Sequence, residues 1–342
     1  MAKRDSVHQL RWHALLKQWV VVSTHRQERP QMPADWCPFC PGSGRVPDHY
    51  DVYLYPNDFP AFSLSSDPFA PDTPDPNQLD LFAATGARGV CDVVLYSPNH
   101  ILPPSQLTVE NWLKIIELWA GRTRELLANP DIAAVAIFEN CGEFIGVTMP
   151  HPHGQIYAMP FIPPVVRIEL NSAAGYASKH DGACLFCALL QRELSERSRL
   201  VFENRDFVSF VPFAARFPAE MLIYSRRHVR HLTELTEAEF ESLAQMISLI
   251  RRKYDNLYGF SLPLMMLVKQ APAKEAPLEY HLHIQFLPLQ RSATKHKYLA
   301  SIETGFGTFL ADTSPEDMAQ KLRETEPVST SEALTAQDTT SD

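Results

Sequence analysis

The strings His151-Pro152-His153-Gly154-Gln155 and His281-Leu282-His283-Ile284-Gln285 decide the fold, because they mark the same place in two copies of one unit. A single histidine precedes each at nearly the same distance, at the end of a strand-like run. These runs are Val93-Val94-Leu95-Tyr96-Ser97-Pro98-Asn99-His100 and Met221-Leu222-Ile223-Tyr224-Ser225-Arg226-Arg227-His228. Farther back stand Asn57-Asp58-Phe59-Pro60-Ala61-Phe62 and Arg205-Asp206-Phe207-Val208-Ser209-Phe210, and before them two Cys-x-x-Cys pairs, Cys37/Cys40 and Cys184/Cys187. A fixed order of landmarks is the mark of an internal repeat, and repeats dictate architecture. The first copy is longer because Ser63 to Arg88, rich in Pro and Asp, reads as an inserted loop.

Between the landmarks the apolar period is helical over Trp112, Ile115, Ile116, Trp119, Leu126 and Leu127, and again over Phe240, Leu243, Met246, Ile247 and Ile250. Thr236-Glu237-Ala238-Glu239 is a capping box at the start of the second helix, and Asn129-Pro130 closes the first. Strands are predicted over 132–138 and 264–268 after the helices, and over 89–96 and 219–224 before them. Strand runs with one helix per unit give an α+β fold of two tandem domains, 1–165 and 166–326, each an antiparallel sheet with one long amphipathic helix. The tail 327–342 has almost nothing to bury and is expected to be disordered.

The 342 residues are 45% apolar and 21% charged, with no apolar run long enough to span a bilayer. The N-terminal stretch lacks the apolar core and small-residue cleavage site of a secretory signal, so the expected location is the cytoplasm. A net charge of −9 argues against a broad nucleic-acid surface and leaves room for a small anionic ligand held by a few local cations.

Cys-x-x-Cys pairs in such a chain suit a metal better than a disulfide. Alternate residues on a strand share a face, so His151, His153 and Gln155 project together, as do His281, His283 and Gln285. Cys37, Cys40, His100 and His151 then complete one Cys2His2 zinc site, and Cys184, Cys187, His228 and His281 a second. Neither keeps an open coordination position, so two structural Zn2+ ions per chain are expected. Cys91 and Cys141 read as inert thiols. His153 is left beside a metal-pinned turn, and Asn140-Cys141-Gly142 and Gly146-Val147-Thr148-Met149-Pro150 form a small-residue approach to it.

With Phe138-Glu139-Asn140 and Gly142 ahead of it, the string Gly146-x-Thr148-x-Pro150-His-Pro-His-Gly-Gln resembles the signature of the galactose-1-phosphate uridylyltransferase family of the histidine-triad superfamily. The resemblance extends to about Arg323. It takes in Trp19 to Ser23 with His25-Arg26 and Arg29-Pro30, Pro56 to Phe59, Tyr254 to Leu257, and Arg291 to Thr294 leading to Lys297. It implies two triad domains and a ping-pong exchange in which His153 attacks the α-phosphorus of UDP-glucose. Sugar 1-phosphate leaves a uridylyl-histidine, which a second hexose 1-phosphate then attacks. Neutral imidazole suits that role near pH 7. Gln155 is implied to hydrogen-bond a non-bridging oxygen, and Arg26 and Arg29 supply cations for the phosphates. Asn57, Asp58 and Phe59 match positions that hold uridine and ribose; Asn140, Gly146 and Thr148 match phosphate contacts. Lys297 and Glu303 match positions for the incoming phosphate and sugar, and the family resemblance also implies a homodimer sharing active sites.

Some features depart from that pattern. Some relatives build a second metal site from a glutamate and three histidines; here Glu169 and His283 are present, but Lys269 and Gln285 stand where the other two would be. The Cys184/Cys187 site in its place resembles those of ADP-glucose phosphorylase and related nucleotidyltransferases. Phe309 occupies the position of a glutamine that galactose-specific enzymes use on the sugar. The alternative reading is therefore an ADP-glucose phosphorylase-like adenylyltransferase, and one of another class is a non-catalytic zinc-ribbon module. The acidic charge and the intact HPHGQ string weigh against the module. His283 lacks the Asn- and Gly-rich approach of His153 and reads as structural.

Overall fold

The structure, a computed structural model, describes residues 8–28, 36–70, 75–273 and 280–329. Its first half holds β1 (His8–His13), β2 (Gln18–Ser23), β3 (Tyr53–Pro56), β4 (Ala84–Gly86), β5 (Val90–Leu95), α1 (Val109–Leu127), β6 (Ala134–Cys141) and β7 (His153–Met159). The second half holds α2 (Pro164–Ala177), α3 (Leu185–Glu196), β8 (Leu200–Glu203), β9 (Phe207–Phe210), β10 (Met221–Ser225), α4 (Glu237–Leu257), β11 (Leu264–Lys269) and β12 (His283–Pro288). There follow β13 (Gln290–Ser292), β14 (Lys295–His296), α5 (Ser301–Phe306) and α6 (Pro315–Glu324).

Each repeat contributes antiparallel strands and the long helix its apolar period calls for. The strands join edge to edge into one sheet, ordered among the described residues β3-β5-β7-β6-β11-β12-β10-β9-β8. The seam is β6 against β11, with Phe138 opposite Leu267 and Cys141 opposite Leu264. Both long helices cover the same core: Trp112, Ile115 and Trp119 of α1 pack in one cluster with Leu243, Met246 and Ile250 of α4. Burying a side chain of this size contributes about 1.5–3 kcal/mol, so the joint core holds the repeats together. Thr108 accepts the Asn111 N–H at the start of α1. Thr236 and Glu239 close the capping box of α4, at 3.3 Å and 2.8 Å. No helix among the described residues is long and apolar enough to cross a membrane.

Four details differ from the pattern read in the sequence. The insertion at 63–88 ends in β4, which pairs with β1 beside β2 as a separate three-stranded sheet; three residues are too few to show a period. The second half carries more than one helix: α2 starts with Pro164 at its first position, where a missing N–H costs nothing, and Cys184 is the N-cap of α3. The repeats are also out of step by one residue at the strand before the single histidine. His153 lies opposite Leu95, but His283 lies opposite Tyr224. Because strand side chains alternate, Tyr96 enters the core under the long helices while its sequence counterpart Tyr224 faces the other side of the sheet. Finally, Asp206 sits at the β8–β9 turn, bonded to Ser242 of α4, whereas its counterpart Asp58 lies in a cavity with His153. From residue 330 onward the tail lies outside the described residues; just before it, Val328 N–H donates to the Arg252 carbonyl.

Candidate active site

Strand β7 begins at His153 and is clamped between β5 and β6, so its residues cannot shift independently. His153 and Gln155 point to one face, into a cavity of about 840 Å³ counted to its open mouth. Gly154, between them, faces the core. A Cβ there would stand 2.2 Å from Tyr96 Oη, which explains the glycine. The His153 Nδ1 lies 2.7 Å from the His151 carbonyl oxygen. A carbonyl only accepts, so Nδ1 carries the proton and the Nε2 lone pair is the reactive one.

The two cysteine and histidine sets gather as the sequence implies. In each, one ligand atom per residue lies within 4.8 Å of all the others. In the first, Cys37 and Cys40 Sγ stand 3.8 and 3.7 Å from His151 Nδ1, and Cys40 stands 3.4 Å from His100 Nδ1. In the second, Cys187 Sγ is 3.3 Å from His228 Nδ1 and 3.4 Å from His281 Nδ1. Tetrahedral zinc with ordinary Zn–S and Zn–N lengths holds S and N about 3.6 Å apart. The outer contacts agree with a metal on Nδ1. His151 Nε2 is 2.7 Å from the Ser97 carbonyl, which fixes the proton there, and His281 Nε2 is 2.8 Å from Ser225 Oγ. Burial holds the His151 pKa down to about 4 and pushes the Cys37 thiol up.

Around His153 the structure brings together Gln155, Thr148, Asn57, Asp58 and Phe59 of the expected site. The Asn57 side chain accepts the Phe59 N–H at 2.9 Å, which fixes that turn. Arg26 is not a lining residue: its guanidinium donates to the Phe59 carbonyl at 2.9 Å and braces the turn from behind. Arg29 lies outside the described residues. Asn140 and Gly146 also stand off the lining, Asn140 on β6 opposite Met265 of β11 and Gly146 in a left-handed turn at φ 78°. Lys297 and Glu303 form a buried ion pair with each other at 3.1 Å, and Lys297 also donates to the Leu310 carbonyl. Thr148 Oγ1 and Gln155 Oε1 are buried with no hydrogen-bond partner among the described residues. Orphaned polar atoms on a cavity wall suit a polar ligand, and rotating the Gln155 amide turns its NH2 toward an anion.

Reading the sequence for motifs misses Trp36, Phe39, Arg45 and Tyr55, all of which line the cavity. Phe39 had a signal, since Cys-x-Phe-Cys recurs with Phe186. Its ring stands 5.7 Å from that of His153, and the Phe186 ring 5.3 Å from that of His283.

The second half has a smaller cavity, at His283. Its polar side chains already have protein partners: Lys269 and Tyr280 donate to Glu169, Gln285 donates to Glu220, and His283 Nδ1 stands 2.9 Å from the His281 carbonyl. Burial lowers the His283 pKa to about 4. The glutamate and lysine thus close on each other where a glutamate and three histidines would hold a metal.

A family model described as "Galactose-1-phosphate uridyl transferase, N-terminal domain" matches residues 1–163, and its C-terminal counterpart matches residues 169–336. The chain belongs to the galactose-1-phosphate uridylyltransferase family. The family's enzyme from Thermotoga maritima is 37% identical over 324 residues, 93% of this chain and 98% of that one. The one from Rattus norvegicus is 35% identical over 349 residues, 94% of this chain and 88% of that one. A solved uridylyltransferase superimposes with TM-score 0.83 at 33% identity, over 95% of this chain and 99% of that one. An ADP-glucose phosphorylase from Arabidopsis thaliana, solved with ADP-glucose, gives 0.71 at 25%, over 94% of this chain and 98% of that one. The adenylyl alternative is thus a related group with weaker similarity than the uridylyltransferases.

Proposed function

We propose that the chain is a UDP-glucose:hexose-1-phosphate uridylyltransferase that passes UMP through a covalent bond to His153 Nε2. The observation that carries this is the His153 Nδ1 to His151 carbonyl hydrogen bond on the floor of a cavity that also holds Asn57 and Asp58. Attack forms the Nε2–P bond as the α-phosphorus loses glucose 1-phosphate. The proton stays on Nδ1, so the imidazole becomes cationic and the His151 carbonyl stabilises it. Attack by galactose 1-phosphate reverses the step with no proton transfer, because the acceptor arrives as a dianion. Gln155 and Thr148 donate to the non-bridging oxygens, and Asn140 and Gly146 match family positions that contact phosphate. Asn57, Asp58 and Phe59 hold the nucleoside.

Each Cys2His2 set would hold Zn2+ as a structural ion that pins the turn before His153 or its counterpart. The domains divide near residue 165. Lys297 and Glu303 serve the site of a second copy in a homodimer, a role supported by the exposed Tyr298, Leu299 and Phe306 beside them. The compartment is the cytoplasm. The test is to load the protein with base-labelled UDP-glucose or ADP-glucose and to chase with galactose 1-phosphate, glucose 1-phosphate or inorganic phosphate. Faster labelling by ADP-glucose, or a chase dominated by phosphate, would replace this reading with the adenylyl one.

A further inference from the structure

The far side of the strand that carries His153 meets charges that the proposed reaction leaves unused. Side chains alternate along β6, so Phe138 shares the cavity face with Gln155 opposite it, while Glu139 points to the helix face, where Gly154 lies. Glu139 is 1% exposed, and so is Arg251 of α4, whose Nη2 lies 3.1 Å from Glu139 Oε1. The pair ties the repeat that holds His153 to the other one. Asp255, one turn along α4, adds a second carboxyl; burial pushes both carboxyls up, and Arg251 pulls each back. Tyr96 closes the set. Its hydroxyl faces Glu139 and lies against Gly154, where an added Cβ would stand 2.2 Å from it. None of these residues lines the cavity.

Tyr96 Oη, both Glu139 oxygens, and Arg251 Nε and Nη1 are buried and make no well-formed hydrogen bond among the described residues. Charges buried this incompletely are a poor source of stability. The attraction between two desolvated ions offsets their lost hydration only when hydrogen bonds satisfy what remains, and apolar residues of similar volume often serve a fold as well or better. What an ion pair supplies and an apolar contact does not is direction.

We propose that Arg251 and Glu139 are positioning residues that hold the Tyr96 hydroxyl against Gly154 and so fix the height of His153 and Gln155 on either side of it. The second repeat thereby contributes to the reaction of the first. The inference rests on the transferase reading for its reaction and adds residues outside the cavity that set its rate.

Replacing the pair by apolar residues in the full chain separates this role from a structural one. Glu139→Leu combined with Arg251→Met leaves neither ion unpaired, and Asp255 can then stay protonated. This double variant is expected to melt at or above the native temperature. The rate of His153 labelling at saturating UDP-glucose should nevertheless fall about tenfold, since a misplacement of about 1 Å costs about 100-fold and an untethered tyrosine permits a smaller one. UMP affinity by calorimetry should stay native, because the nucleoside turn lies on another strand. Tyr96→Phe, which leaves every charge in place, should lose about the same factor in rate, and adding it to the double variant should cost little more, since all three residues act through one contact. Native labelling in either the double variant or Tyr96→Phe, a rate lost only in step with melting temperature, or losses that multiply on combination would each overturn the proposal and leave the transferase reading intact. Failure of the native protein to take label from UDP-glucose overturns both.

Discussion

Replacing Gly154 with alanine should damage stability and catalysis together. The added Cβ would sit 2.2 Å from Tyr96 Oη, 2.9 Å from its Cζ and 3.2 Å from the Phe138 carbonyl oxygen. Ordinary contact needs about 3.5 Å, so either the buried tyrosine or strand β7 must yield by about 1 Å. Overpacking of this kind costs about 1–3 kcal/mol, or a fall of roughly 1–4 °C in Tm for a chain of this size. His153 and Gln155 flank the glycine on a strand held on both sides, so the displacement reaches the nucleophile. A misplacement of about 1 Å at a reacting centre costs about 100-fold in rate. Thermal melting and the rate of histidine labelling by UDP-glucose measure the two effects. Tyr96→Phe in the same chain removes the 2.2 Å contact and leaves the 2.9 Å one, so the double variant should recover part of both losses. Native melting and labelling in Gly154→Ala, or no recovery in the double variant, would refute the packing argument.

Metal analysis of protein purified without chelator should give two zinc ions per chain, falling to one in Cys184→Ser; a ratio near one in both would remove the second site. His283→Ala should keep measurable turnover, since the polar groups of its cavity already have protein partners; loss of turnover with normal melting would give that histidine a part in catalysis. Glu239, held by Arg227 and by the Thr236 cap, has its pKa lowered to about 2. A depressed carboxylate stabilises the fold above its unfolded pKa of about 4.3. That contribution, about 2–3 kcal/mol, is lost as pH falls through about 2. Glu239→Gln should therefore melt earlier at pH 7 and approach native behaviour near pH 2, and a pH-independent difference would contradict the ion-pair account. With Phe309 packed on Phe217 and under the Arg216 guanidinium in place of a sugar-binding glutamine, glucose 1-phosphate and galactose 1-phosphate should serve as acceptors within about tenfold of each other. Strict galactose preference in competition assays would show that another residue reads the hydroxyl.

Much of this architecture is legible from spacing alone. The helices announce themselves through Trp112 to Leu126 and Leu243 to Ile250, whose period is long enough to be unambiguous. The two Cys2His2 clusters emerge from two pairs of cysteines and the repeated histidines. What spacing does not reveal is pairing. The one-residue slip that turns Tyr96 into the core and Tyr224 away from it has no local signature, because the two strings look alike until their partners are known. The same holds for Asp58 and Asp206, which occupy matching strings and different surroundings. Strand β4 is too short to have a period. Arg45 and Tyr55 belong to no motif, and only the fold of the loop after Cys40 carries Arg45 to Tyr55 and Asp58. Lys297 and Glu303 were legible as types, but within one chain they satisfy each other.

The covalent intermediate is the most direct test of the account. Protein incubated with UDP-glucose alone, quenched in base to preserve the phosphoramidate and digested, should carry one uridylyl group on the peptide containing His153. That label should be absent from His153→Ala, retained in His283→Ala, and lost on addition of galactose 1-phosphate with formation of UDP-galactose. A label on any other residue, or full turnover by His153→Ala, would contradict it.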